Sequence, residues 1–347
     1  MNRYFDKVVG TGGIGIGMLF HTDDDRTLGR SESRLVTLSD AKDYCKLHIV
    51  FHYIATILTP GKRVIPVGCV GTDSNGERLI HQMQQCGMDT SFVSRETDYP
   101  TAISVCLQYP DKEGCNFTAK NGAGEAVTPE YIRTSLERIS IDEHTIVAAI
   151  PEVSLESRAE LLRMGKERGS YCVLSFAAAE GGQVREQRLL RDCDLLAVNE
   201  EEALSILTEL VPRERLAESV YQYASTLNPD ITVMVTCGKH GAFVCDQHGT
   251  ETVAPLTSQV VNTAGAGDAF LGGTISALAL GYPLKKGCHD VRLGETPLKT
   301  APEFGALCAG MAVESPDSIA EQVNANTIAE RCKEQSLKTA FDFLPTK

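Results

Sequence analysis

The sequence predicts an α/β fold: a mainly parallel central sheet flanked by helices, with a small β-strand lid. Apolar strand-like runs alternate with amphipathic helical stretches along almost the whole chain. That order gives a parallel sheet covered by helices. Two segments break the alternation, Gly15 to Ser39 and about Arg95 to Phe117, and both read as excursions that pair into a flap. The 347 residues, 42% apolar and 23% charged, suit one large domain over 1–347 with those lid segments.

Lys7 to Ile14 reads as a buried strand. Ala41 to Leu58 reads as a helix, with Tyr44, Leu47, Phe51, Ile54 and Leu58 on one face and Pro60-Gly61 ending it. Arg63 to Val70 is a strand, Asn75 to Cys86 a helix closed by Gly87, and Thr145 to Ile150 a strand. Leu155 to Glu167 is a helix, Tyr171 to Phe176 and Leu195 to Val198 strands, and Glu200 to Leu210 a helix. Ile231 to Thr236 is a strand and Gly267 to Leu280 a helix. In the lid, Ile103, Val105 and Leu107 alternate before a turn near Asp111-Lys112-Glu113-Gly114, as in a hairpin. Gly287 to Pro302 reads as a loop.

A net charge of −13 argues against a duplex nucleic-acid partner, which needs a basic face. No run reaches the roughly 20 apolar residues of a membrane span, and the start lacks a signal-peptide layout, so a cytoplasmic location is the default expectation. The 12 scattered cysteines, with no C-x-x-C pair, read as reduced and mostly buried, not as a disulfide frame or zinc site.

The chemistry concentrates in Val261-Asn262-Thr263-Ala264-Gly265-Ala266-Gly267-Asp268-Ala269-Phe270. Gly265, Ala266 and Gly267 let backbone N–H groups approach a phosphate closely, and a helix beginning there adds its positive end. Asp268 then sits where it can accept the proton of an attacking hydroxyl. A tight turn capped by Asp is the alternative for an isolated run of this kind.

The run resembles the D-T-x-G-A-G-D signature of the ribokinase-like (PfkB) carbohydrate kinases. Val67 to Gly76 is similar to that family's V-G-x-V-G-x-D-x-x-G, Gly87 to Thr90 to its G-V-D-T, Asn199 to Glu202 to its N-x-x-E, and Val235 to Ala242 to its V-T-x-G-x-x-G loop. The resemblance runs from about Val8 to Val313. It implies Asp268 as catalytic base, Gly265, Ala266 and Gly267 as anion hole, and Glu202 helping to hold Mg²⁺ through water. It also implies Asn199, Thr236, Gly238 and Gly241 around ATP. The spacing of Asn199 and Glu202 equally fits a helix capping box. Dimerisation through the lids is implied by the resemblance alone.

Departures from the family concern the acceptor. Asn262 replaces the usual Asp, so handling of a monovalent cation is open. After the first strand, Gly10 to Gly17 carries no sugar-binding carboxylate; Gly13 and Gly15 would open space for a ligand. The G-G-x-x-x-N segment is missing. Counting back from Gly61 without gaps puts His48 and His52 there, as substitutes for the Asn, as solvent or core histidines, or as a metal pair. Arg26, Arg30 and Arg34 recur every four residues, as a row for an anionic substrate or as a solvated loop balancing Asp23-Asp24-Asp25. Gly10, Gly12 and Gly15 also satisfy a dinucleotide fingerprint, but no helical face follows them.

The reading is an ATP- and Mg²⁺-dependent kinase of a small sugar-like substrate, with a sugar phosphate or sugar acid as candidate acceptor. A nucleoside kinase and a catalytically silent ligand-binding member are the alternatives.

Overall fold

A computed structural model describes residues 4–111, 114–256, 258–286 and 298–334. The chain runs β1 (Lys7–Thr11), β2 (Gly15–His21), β3 (Thr37–Tyr44), α1 (Lys46–Leu58), β4 (Arg63–Gly71), α2 (Ser74–Gln85), β5 (Val93–Glu96), β6 (Ala102–Gln108) and β7 (Gly114–Thr118). It continues α3 (Pro129–Ile139), β8 (Thr145–Ala149), α4 (Leu155–Glu167), β9 (Tyr171–Leu174), α5 (Gly181–Glu186), β10 (Leu195–Asn199), α6 (Glu200–Ile206) and α7 (Leu216–Ala224). Last come β11 (Thr232–Thr236), β12 (Ala242–Asp246), β13 (Gly249–Val253), α8 (Ala266–Ala279), α9 (Ala301–Ala312) and α10 (Ala325–Glu334).

Nine strands form one sheet in the order β13-β12-β11-β10-β9-β8-β1-β4-β5. Its neighbours are parallel except at the β11–β12–β13 edge. From β1 the chain winds to β4 and β5 on one side, and later strands fill the other from β8 outward. The β1–β8 boundary is therefore the switch point, where a crevice opens beyond the strand ends. A second sheet, β3-β2-β6-β7, is the lid. β2 and β6 run parallel, and β3 and β7 flank them antiparallel. One apolar core lies on each face of the large sheet, and α8 packs between α1 and α9.

Several expected bounds move: the strand expected to Ile14 ends at Thr11, and the one expected to Phe176 ends at Leu174. The helix expected from Ala41 begins at Lys46, and residues 41–44 extend β3, so the lid reaches Tyr44. Tyr44 continues the helix's spacing by coincidence, and α1 is buried almost all round, so it has no polar face to mark its start. The helix expected to Leu210 stops at Ile206. The expected turn at 111–114 and loop at 287–302 fall partly outside the described residues, and Ala301 and Pro302 already belong to α9. Among the described residues, no helix is long and apolar enough to cross a membrane.

Candidate active site

Asp268 lies in the first turn of α8 and lines two cavities at once. The larger, about 270 Å³, is lined by Asp43, Tyr44, Ser104, Cys106, Gln108 and Asn116 from the lid sheet and by Glu152. The smaller, about 60 Å³, is lined by Ser175, Asn199, Glu202, Thr236 and Gly267. Both lie beyond the carboxyl ends of the parallel strands.

The start of α8 is built for an anion. Gly265 is its N-cap at φ 76, a conformation that favours glycine, and a Cβ there would collide with the Ser318 carbonyl. Ala266 spends its N–H on the Thr263 carbonyl (3.2 Å). The N–H groups of Gly267 and Asp268 have no acceptor among the described residues, and a Cβ on Gly267 would meet nothing within 4 Å. The donors thus centre on Gly267 and Asp268, whereas the sequence had suggested Ala266 among them.

Lys46, the first residue of α1, holds its Nζ 3.6 Å from Asp268 Oδ1. Burial raises the Asp268 carboxyl above its ordinary value, and the Lys46 ammonium opposes that rise. Asp268 in turn holds the Lys46 ammonium firmly charged. Glu152 follows β8 at the switch point and accepts the Lys46 backbone N–H at Oε2 (2.9 Å). Its φ of 78 is unusual for a residue with a side chain. Neither Lys46 nor Glu152 belongs to a sequence motif. Their part in the site depends on the β1–β8 crossing, which a single sequence does not display.

Asn199 and Glu202 form the capping box at the start of α6: Glu202 N–H donates to Asn199 Oδ1 (2.8 Å), and Asn199 N–H to Glu202 Oε2 (2.8 Å). Both also line the smaller cavity. The capping box thus leaves both side chains at the cavity wall. Burial pushes the Glu202 carboxyl up to about 7. A nearby divalent cation would relieve that burial, so the residue fits one oxygen ligand of Mg²⁺. No cluster of three metal-ligating side chains occurs among the described residues. Thr236 lines the cavity, and Gly238 beyond it faces open space. Gly241 serves packing: at φ 84 its missing Cβ makes way for the Val253 carbonyl.

Several expected contacts fall elsewhere. Asn262 is buried and its amide is engaged through both oxygen and nitrogen: Oδ1 accepts from Gln108 Nε2 (2.9 Å) and Ala264 N–H (3.0 Å), and Nδ2 donates to the Pro316 carbonyl (2.7 Å). It ties β6 to the segment before α8 and does not line the smaller cavity. Gly13 opens room for Glu152, whose carboxylate a Cβ would strike, and Gly15 lets the Ala102 backbone approach; neither opens space for a ligand. The arginines form no row, because 22–36 is irregular. Arg26 binds Asp24, and Arg34 binds Asp24 and Glu32. Arg30 is exposed, and none of the three lines either cavity. The solvated-loop reading is the one the structure displays.

His48 and His52 are buried in α1 and line neither cavity. His48 lies against Tyr44 with ring centroids 4.7 Å apart, and His48 Nδ1 and His52 Nε2 have no hydrogen-bond partner among the described residues. Gapless counting misplaced them. Burial lowers their pKa values to about 3 and about 4, so both stay neutral when folded and charge more readily when unfolded. Stability from neutral burial is complete above the unfolded value of about 6.5 and is lost as pH falls towards the folded values, by up to about 1.4 kcal/mol per unit for each ring. Urea unfolding at pH 7 and pH 5 should show this loss, and the double variant His48→Met, His52→Met should show much less of it. Equal losses would contradict the assignment.

A carboxylate and free helix N–H groups at the junction of two cavities define a small-molecule phosphotransferase. Residues 55–324 match the pfkB family carbohydrate kinase profile, and the chain belongs to that family. It is 26% identical over 220 residues to ribokinase of Haemophilus influenzae, covering 63% of this chain and 69% of that protein. It is 25% identical over 256 residues to ribokinase of Schizosaccharomyces pombe, covering 73% and 74%. The fold superposes on ribokinase from Giardia lamblia with a TM-score of 0.78 at 17% identity, over 94% of this chain and 99% of that one.

Proposed function

We propose that this kinase transfers the γ-phosphoryl group of ATP to a hydroxyl of a neutral, monosaccharide-sized polyol. The carrying observation is the position of Asp268, shared by a lid-covered polar cavity and a cavity at the α6 and α8 N-termini. The smaller cavity takes the phosphate end of ATP against the Gly267 and Asp268 N–H groups. The larger takes the acceptor, and the Asp268 carboxylate receives its proton as the oxygen attacks. Glu202 would help to hold Mg²⁺, which would supply neutralisation of phosphate charge.

The acceptor's charge follows from the lining. Among the described residues of the wall, Asp43, Glu152 and Asp268 are set against the single cation Lys46, so a second phosphate or carboxylate on the substrate would meet repulsion. The sugar phosphate or sugar acid suggested by the arginines is therefore set aside. Carboxylates and amides suit hydroxyl donors. Tyr44 is the one aromatic side chain on the wall among the described residues, which favours a sugar ring over a nucleobase. Thermal shifts with an ATP analogue and panels of neutral sugars, sugar phosphates and nucleosides test this, since a bound ligand raises the melting temperature. A shift from a neutral sugar is expected. A shift confined to sugar phosphates, or to nucleosides, would overturn the acceptor assignment.

A further inference from the structure

We propose that the Asn262 amide takes, in this chain, the place of a bound monovalent cation, so that the protein works without one. The proposal rests on the kinase reading above for the site that Asn262 serves. A junction of four chain segments carries it. Asn262 is buried just before α8. Its Oδ1 accepts the Ala264 N–H (3.0 Å), and its Nδ2 donates to the Pro316 carbonyl (2.7 Å). A backbone donor at one end and a backbone acceptor at the other fix which end is oxygen. Gln108 Nε2, from β6, is the second donor to Oδ1 (2.9 Å). The segment holding Pro316 then meets both the α8 turn and the lid. The Ser318 carbonyl leaves no room for a Cβ on Gly265, and the Ser318 N–H donates to the Lys42 carbonyl of β3 (3.0 Å).

An Asp at this position would need an ion. A carboxylate has no hydrogen to give, so it would face the Pro316 carbonyl as acceptor against acceptor. It would also bury a charge, which is costly unless paired. A cation between the two removes both problems. The amide removes them alone: its N–H is the missing donor, and it is neutral. The residues present do not fit the ion. Oδ1 has two lone pairs, and Ala264 and Gln108 use both. Neither they nor Pro316 brings a negative charge, and an ion would have to displace the bond from Nδ2. Asn262 lines neither cavity, so it is a positioning residue. It acts through Ala264 on the turn that begins α8, and through Gln108 on the acceptor wall.

The test compares potassium chloride with choline chloride at equal ionic strength, choline being too bulky for such a site. Thermal melting and calorimetry with ADP and Mg²⁺ are the readouts. The wild-type protein should melt at the same temperature, and bind ADP equally well, in both salts. Asn262→Asp should melt roughly 2–10 °C lower in choline, the scale of an unpaired buried acceptor in a chain this long. Potassium should restore it, and the restoration should saturate. Asn262→Leu should lose stability equally in both salts, because a hydrocarbon side chain recruits no ion. A saturable rise with potassium in the wild-type melting temperature or ADP affinity would overturn the proposal, whether or not the variants fold. An Asn262→Asp protein indifferent to the cation would overturn it as well. Failure of the wild type to bind ADP in either salt would count against the kinase reading, and the melting comparison would still judge Asn262.

Discussion

Asp268→Asn should lower the turnover of phosphoryl transfer by about 100- to 10,000-fold, the usual span for a general base, while the melting temperature changes little. The side chain keeps its size and its place in the first turn of α8. It loses the capacity to take a proton and the charge that faces Lys46. ADP affinity should survive, because the helix N–H donors remain. Steady-state kinetics with the best acceptor, beside calorimetry with ADP, separates the two effects. A variant retaining a third of wild-type turnover would show that Asp268 is not the base. The wild-type rate should also fall at acid pH, as the carboxylate protonates. Burial places that fall above the ordinary aspartate range.

The second large effect comes from two glycines two residues apart. Gly265→Ala sets a Cβ against the Ser318 carbonyl in a left-handed conformation. It should cost about 1–3 kcal/mol for the backbone and a similar amount for overpacking, and abolish activity by displacing the start of α8. Gly267→Ala should leave stability unchanged or slightly raised, since alanine suits a helix and nothing lies within 4 Å of the new Cβ. Its methyl group instead occupies space on the donor cavity, so the KM for ATP should rise. Urea unfolding and ATP kinetics on both variants check this. If Gly267→Ala proves the less stable of the two, the description of the turn is wrong.

The phosphate half of this protein was legible because its chemistry is local. Gly265 to Asp268 stand side by side in the chain, and Asn199 and Glu202 share one helix turn. The parallel strands were legible because both faces are buried, leaving continuous apolar runs such as Ile146 to Ala149. The acceptor half was not, because it is assembled across distance. Asp43 and Gln108 come from different lid strands, Glu152 from beyond β8, and Lys46 from the start of α1. None is marked by spacing. The arginines misled because a four-residue period has meaning only on a regular element, and residues 22–36 form none. The histidines misled because α1 has no exposed face to separate a core residue from a cleft residue.

The central claim is that Asp268 joins an ATP-phosphate site to a site for a neutral polyol. Transfer of label from γ-³²P-ATP to a panel of neutral sugars, sugar phosphates and nucleosides, with the products separated and counted, tests it most directly. Labelled neutral sugar should form with wild-type protein and not above background with Asp268→Asn. Label appearing on no acceptor, or equally with both proteins, would contradict the account.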